Sequence, residues 1–340
     1  MQGLLRAGLL LTLLLSFAAP LEAKDTLSIL VPTQAGGDSD IYARAVARHI
    51  GTYLPETEKV IVQNIPGAGG GKLCRYLLEV AGNDKVAILS PGIGATLLGD
   101  SSHKDCALER LVDLGAGNEG GRMFLFRKAV GVERWEDLAN LSGKTLFVAS
   151  TARASFTVLM AKSLLNAYGI VMQNPGVYAG ANDTLLAARR GEADVAMQFT
   201  ADYLRSPKEG MTAVCAFGLI EDKRITRNPA TPEMPTCAEL AERRLGAASA
   251  EQELMNAVTK VSLLGNPFFA PPGFPEEKAA LLRAALSDVH RDPAYLADAA
   301  KVGASTSFVD AREYRARREE IVKELGQAQI GRIIDSVLAK

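Results

Sequence analysis

The sequence predicts an α/β protein made of two Rossmann-like lobes joined by two chain crossings. Three observations predict it. Short apolar, strand-like runs alternate with helical stretches along most of the chain. Three early strands each end in a glycine-rich loop, the place where open parallel sheets collect ligands. Strands return late in the sequence, so the C-terminal third completes the first lobe and the chain crosses twice. The expected division is 24–123 with 219–340 as lobe 1 and 124–218 as lobe 2. A length of 340 residues suits about two domains, and 48% hydrophobic with 23% charged residues is ordinary globular composition. With 38 Lys+Arg against 39 Asp+Glu, the chain lacks the basic surplus of a nucleic-acid binder. Aromatic residues are 6%, too few for a large aromatic cage.

Residues 1–23 read as a secretory signal peptide: Arg6, an apolar run from Leu9 to Ala19, then Pro20-Leu21-Glu22-Ala23. The run is shorter than the ~20 residues a membrane span needs. Cleavage is expected after Ala23, with Ala18 and Ala19 as alternatives, leaving an exported, periplasmic chain. Export puts Cys74, Cys106, Cys215 and Cys237 in an oxidising compartment. Three pairings are possible. The spacings favour Cys74–Cys106 and Cys215–Cys237, and four free buried thiols is the competing reading. Three scattered His and no CxxC give no zinc site.

The elements follow in order. Thr26–Pro32 is a strand, Gln34-Ala35-Gly36-Gly37 a turn, and Asp38, Ser39 or Asp40 caps a helix to about Ile50. Strand Val60–Val62 leads into the loop Asn64–Gly71 and a helix from Lys72 to about Val80. Strand Val86–Leu89 ends in Ser90-Pro91-Gly92. Met123–Arg127 is a strand, Glu136–Asn140 a short helix, Lys144–Ala149 a strand, and Phe156–Tyr168 a helix. A helix ending near Arg190 precedes strands Asp194–Phe199 and Thr212–Phe217. Asn228–Pro235 is irregular. Pro267–Pro272 is a strand entering a turn, and helices near Glu276–Val289 and Arg312–Ala339 close the chain. Mixed charges such as REYRARREE read as a solvated helix face.

The common glycine motifs fail on context. Gly67 to Lys72 lacks the first Walker glycine, and Leu73 follows the Lys where a hydroxyl must hold Mg²⁺. Gly115–Gly120 spells GxGxxG but is followed by a strand, so it is a chance match. There is no GxSxG elbow. The two glycine corners have a more general use. Glycine frees backbone N–H groups and lets an anion approach, and each corner opens a helix whose N-terminus carries partial positive charge. Two such corners side by side can hold a carboxylate or phosphate without any Arg. Tight turns with no ligand are the plain structural alternative.

These residues resemble a known family. Val31–Asp40 (VPTQAGGDSD) resembles the PFPAGGxxD segment of the Bug receptors, the periplasmic solute-binding proteins of tripartite tricarboxylate transporters. Val62–Gly70 (VQNIPGAGG) resembles their VENRPGAGG segment. Weaker matches are Gly191–Met197 to GGxVDVMF, Pro235–Glu239 to PTVAE, and Phe269–Pro275 to VAPAGTP. The resemblance implies a type II periplasmic binding fold closing on a small organic acid. It implies that Thr33, Gln34, Ala35, Gly36 and Gly37, with Asn64, Gly67, Ala68, Gly69 and Gly70, hold one carboxylate, with Ser90 beside them and Asp40 ordering the loop. From the second lobe it implies Ser155, Thr157, Tyr178 and Gln198. There the sequence departs from the family: the family's His is missing after Ser155, Ala179 stands for a common Lys, Gln198 for a common Asp, and Ile65 for an Arg. Gln198 in place of Asp suits a neutral or acidic distal group better than an amine.

The expected function is capture of a small carboxylate and delivery to membrane transporter subunits by a monomer, without cofactor, metal, nucleic acid or chemistry. A sensor role for the same fold is the first alternative and an exported enzyme the second. His49, His103 and His290 have no convincing Ser or Cys nucleophile near them, which disfavours the enzyme.

Overall fold

The computed structural model describes residues 25–89, 106–118, 121–151, 155–178, 181–205, 209–221, 224–325, 331, 332 and 334. The expected leader, Ser90 and His103 lie outside them.

The first three strands are β1 (Asp25–Val31), β2 (Thr57–Asn64) and β3 (Lys85–Ile88). They are linked by the helices α1 (Asp38–Ile50) and α2 (Gly71–Glu79). All three strands run parallel, with β1 in the middle of the trio. A strand–helix–strand crossover forces that arrangement, and it places the loops after β1, β2 and β3 on one edge. Leu30 and Val31 are fully buried, which is why TLSILV reads as a near-continuous apolar run. Next come β4 (Val112–Asn118), β12 (Asn266–Ala270) and β13 (Ser307–Val309), which finish a six-stranded sheet in the order β13-β4-β12-β3-β1-β2. The late strands therefore do return to the early sheet.

The middle of the chain builds a second layer. Strand β5 (Arg122–Arg127) pairs antiparallel with both β8 (Val195–Phe199) and β9 (Met211–Ala216). A parallel ribbon of β6 (Thr145–Phe147) and β7 (Val171–Gln173) joins it through a Val148–Val195 bridge. Helices α3 (Phe156–Ala167), α4 (Ala181–Arg190) and α5 (Thr200–Arg205) belong to this part. The expected short helix at 136–140 is a 3-10 turn over Trp135–Leu141.

A small hairpin, β10 (Leu219–Glu221) with β11 (Arg224–Thr226), precedes α6 (Cys237–Leu245) and α7 (Ala250–Ser262). Both helices share a core with α3: Leu240, Leu254 and Val258 pack in one cluster with Met160 and Leu164. Helices α8 (Glu276–Val289) and α10 (Ala311–Leu325) pack on β4 of the six-stranded sheet, and α9 (Pro293–Val302) packs on α1.

Both favoured cysteine pairs are disulfides: Cys74–Cys106 ties α2 to the segment entering β4, and Cys215–Cys237 ties β9 to the start of α6. No free thiol remains. Gly115 and Gly117 of the GxGxxG run lie on β4, not on a phosphate loop, and Gly120 lies outside the described residues. A Cβ at Gly117 would run into the Tyr42 ring and one at Gly115 into Phe308, so these glycines make room for aromatic side chains. Among the described residues, no helix is long and apolar enough to cross a membrane.

Candidate functional site

The first corner leaves β1 at Val31 and turns through Thr33, Gln34, Ala35, Gly36 and Gly37 into α1. Gln34, Ala35 and Gly36 are exposed. Gly36 has φ +81°, a left-handed backbone that glycine adopts without cost. A Cβ at Gly37 would sit 2.9 Å from the Thr33 Cβ, so only glycine fits there. The second corner leaves β2 at Asn64. Gly67 (φ +134°), Ala68 (φ +48°) and Gly70 (φ +102°) wind a 3-10 turn over Ala68–Gly70 into α2. Ala68 is one of two non-glycine residues with positive φ among the described residues. The corners are neighbours: Ile65 N–H donates to the Val31 carbonyl at 2.8 Å.

Asp40 joins them. It is 2% exposed, and its Oδ2 accepts the Gly36 N–H at 2.9 Å. Its Oδ1 accepts the Asn64 side-chain N–H at 2.8 Å, and Asn64 Nδ2 also donates to the Thr33 carbonyl at 2.9 Å. Arg44, one helical turn on, donates Nε to Asp40 Oδ2 at 2.9 Å and reaches Oδ1 at 2.8 Å. Burial pushes the Asp40 carboxyl up, but Arg44, the Gly36 amide and Asn64 outweigh it, and its pKa falls below the usual carboxylate value. Asp40 therefore orders the loop from behind.

This satisfaction narrows the expected set of donors. The Gly36 amide is taken by Asp40, the Gly37 amide by the Gln34 carbonyl at 3.0 Å, and the Gly70 amide by the Gly67 carbonyl at 3.0 Å. Among the described residues, no hydrogen bond takes up the N–H of Ala35 or Ala68. The first-turn amides of α1, at 38–40, have no intrahelical acceptor by geometry. Thr33 Oγ1 is buried without a partner. Gly69 lies within the 3-10 turn. Ser90 lies outside the described residues.

The second group sits on the other layer. Ser155 caps α3, its Oγ accepting the Val158 N–H at 3.4 Å. Thr157 turns inward: it is 4% exposed and its hydroxyl meets the Met197 sulfur at 3.5 Å. Tyr178 is half-buried against the cluster of Met123, Leu125 and Ala149, and its N–H donates to the Ser150 carbonyl at 2.9 Å. Gln198 is buried near the end of β8, and its Oε1 has no partner among the described residues. So Thr157 packs on the Met197 face of β8, Gln198 projects from the opposite face of the same strand, Ser155 is committed to its helix, and Tyr178 packs beside Ser150.

Two residues escaped the sequence reading. Arg44 carried a readable signal, an Asp–Arg pair at i,i+4 on a predicted helix. Thr200, just past β8, is 2% exposed with an unpartnered Oγ1, and nothing in its sequence neighbourhood marks it. A cavity of about 340 Å³ lies away from both corners. It is walled by Leu219, Ile220, Leu263, Leu264 and Ile321 and rimmed by Lys260, Arg317, Glu320 and Glu324. We favour the corners as the site because their polar groups converge, whereas the cations on the rim of this cavity are committed within the protein, Lys260 to Glu324 and Arg317 to Glu313. No cluster of three or more His, Cys, Asp or Glu suited to a metal occurs among the described residues.

Solved structures share this architecture over nearly the whole chain. The periplasmic binding protein BugD matches at 17% identity and TM-score 0.66, covering 92% of this chain and 98% of that one. A Rhodopseudomonas palustris protein solved with adipate matches at 15% identity and TM-score 0.69, over 92% and 98%. MatC from R. palustris, solved with bound malate, matches at 20% identity and TM-score 0.62, over 92% and 99%. The fold is the type II periplasmic binding fold. No family model matches the sequence, and no curated protein matches it. Within that fold, the corners after β1 and β2 stand at the carboxyl ends of parallel strands, where open α/β sheets take ligands.

Proposed function

We propose that this chain is an exported receptor of the Bug type, a monomer that binds a small organic acid between two lobes and passes it to membrane transporter subunits. The observation that carries the reading is the pair of glycine corners held side by side at the carboxyl ends of β1 and β2, each opening a helix. A carboxylate seated there meets the Ala35 and Ala68 amides and the positive ends of α1 and α2. BugD supports the reading through its fold, and the adipate- and malate-bound neighbours through the acids they hold. In this reading residues 1–23 are the cleaved leader. The six-stranded sheet anchors one lobe and the β8-β5-β9 layer the other, with 24–123 and 219–340 set against 124–218. Packing of α6 and α7 on α3 favours moving the return crossing to just before β12.

Gln198, Thr200 and Tyr178 are the second lobe's contribution, and they set the distal end of the ligand. The Thr200 hydroxyl can donate to a second carboxyl and the Gln198 Oε1 can accept from a hydroxyl, and neither carries the negative charge that would form an ion pair with an ammonium group. The reading involves no bond-breaking step. All four cysteines are in disulfides, His49 pairs with Asp298, and His290 is enclosed by tyrosines, so none is poised as part of a nucleophile pair.

The test is titration calorimetry and thermal shift of the mature chain with mono- and dicarboxylates of two to eight carbons. Saturable binding of one or a few acids with a raised melting temperature is expected. An unmoved melt across the whole panel would refute the reading.

A further inference from the structure

Asp40 poses an electrostatic problem for an anion site. Its carboxylate is buried and holds the Gly36 amide, one residue from the Ala35 amide offered to the ligand. An uncompensated negative charge there would repel any acid. The compensation comes from Arg44. Its Nε and terminal nitrogen grip both Asp40 oxygens, and the same terminal nitrogen donates to Asn64 Oδ1 at 3.3 Å. Asn64 returns its own donors to Asp40 and to the Thr33 carbonyl. The result is a closed ring through α1, the first corner and the end of β2.

We propose that Arg44 is a positioning residue for the ligand site: it locks the two glycine corners to each other through Asp40 and Asn64 and cancels the Asp40 charge beside the bound acid. The inference rests on the binding reading above for its second half only. Arg44 approaches the carboxylate with two nitrogens, which Lys cannot reproduce, so Arg44→Lys keeps the charge and loses the ring.

The experiment compares the wild-type mature chain with Arg44→Met, Arg44→Lys and the double variant Asp40→Asn/Arg44→Met. Hydrogen exchange of ligand-free protein reads residues 33–37 and 64–70. Calorimetry with succinate, malate and adipate reads affinity. Arg44→Met should raise exchange in both segments by about tenfold or more, leaving α8–α10 unchanged. It should weaken binding of whichever acid the wild type takes by about tenfold or more, and the double variant should recover most of that loss. A residue that merely supports the fold gives no recovery when a second change is added. Unchanged exchange in Arg44→Met overturns the positioning role. Equal affinity of Arg44→Met and the double variant overturns the charge role. If the wild type binds neither these three acids nor any other acid of the two- to eight-carbon panel, the binding reading is what fails, and the exchange comparison still decides whether Arg44 locks the corners.

Discussion

His290 makes the fold acid-sensitive by an amount that can be worked from its surroundings. The ring is 6% exposed and sits where α1, α8, α9 and β13 meet. Its Nδ1 lies 2.7 Å from the Leu286 carbonyl, which assigns the Nδ1–H tautomer. Nε2 is then an acceptor and takes the Tyr42 hydroxyl at 2.9 Å. Tyr295 also approaches Nε2 at 3.2 Å but gives its proton to the Ser305 carbonyl at 2.6 Å. Phe308 stacks on the ring at 4.7 Å. No carboxylate touches it among the described residues; the nearby Asp298 is held by Arg48 and His49. Burial therefore drives the His290 pKa down from 6.5 to about 4, with the Leu286 carbonyl offsetting part of the fall.

The sign follows from linkage. Above the unfolded value of 6.5 the ring is neutral in both states and costs nothing. As pH falls below 6.5 the unfolded chain takes up a proton that the folded chain refuses, and stability is lost until pH reaches about 4. The full loss is about 3 kcal/mol, of which about 2 kcal/mol is gone by pH 5. Urea unfolding at pH 7.5 and pH 5.0 should show this fall in the wild type. In His290→Gln the fall should be smaller by about 2 kcal/mol, whatever that variant's stability at pH 7.5. Only three histidines are present, so an NMR titration can follow the ring directly. Equal pH dependence in wild type and variant, or a His290 midpoint near 6.5, would refute the reasoning.

Further outcomes follow from other contacts. Opening either disulfide removes a constraint on the unfolded chain; for separations of 32 and 22 residues the chain-entropy model gives about 3–4 kcal/mol each. Cys74→Ser/Cys106→Ser and Cys215→Ser/Cys237→Ser should each lower the urea midpoint accordingly, and thiol counting in denaturant should find none without reductant. Gly117→Ala drives a methyl into the Tyr42 ring, and a loss of about 1–3 kcal/mol is expected by chemical denaturation. Asp113 is 1% exposed between Arg315 at 2.7 Å and the buried Arg318 at 2.9 Å; Asp113→Ala strands Arg318 and should cost about 3–5 kcal/mol in the same assay.

Much of the architecture was legible because burial on both faces leaves continuous apolar runs. TLSILV, VIV and VAIL are the three parallel strands, and glycine marks where two of them turn. Strand β4 has no strand signal in the sequence because Gly115 and Gly117 interrupt its apolar run. They lie two apart on one strand, and the large rings of Phe308 and Tyr42 fill the space their side chains leave. That compensation is tertiary and has no local signal. Helices α6 and α7 did carry one: Thr236 and Ser249 cap them, accepting the N–H of Glu239 at 3.0 Å and of Gln252 at 3.2 Å, in the Thr/Ser-x-x-Glu/Gln spacing of a capping box. The short β7, β10, β11 and β13 are three residues each, below what periodicity can resolve.

For the candidate site, glycine density located the corners but not the direction of their amides. Residue type says that a backbone can turn outward; only the fold says what its N–H then meets. Here Gly36, Gly37 and Gly70 turn their donors to Asp40, Gln34 and Gly67, all within the protein. That reduces the number of groups left for a ligand and changes what those that remain can do. A corner whose own amides are satisfied has its conformation set before any ligand arrives, so binding pays little ordering entropy. Backbone donors cannot be deleted by substitution, and they tolerate a varied sequence around them. The side chains that aim them can be deleted. On this argument the residues most sensitive to change at the proposed carboxylate site are Asp40, Asn64 and Arg44, which stand behind the donors, more than the exposed Gln34 in front of them.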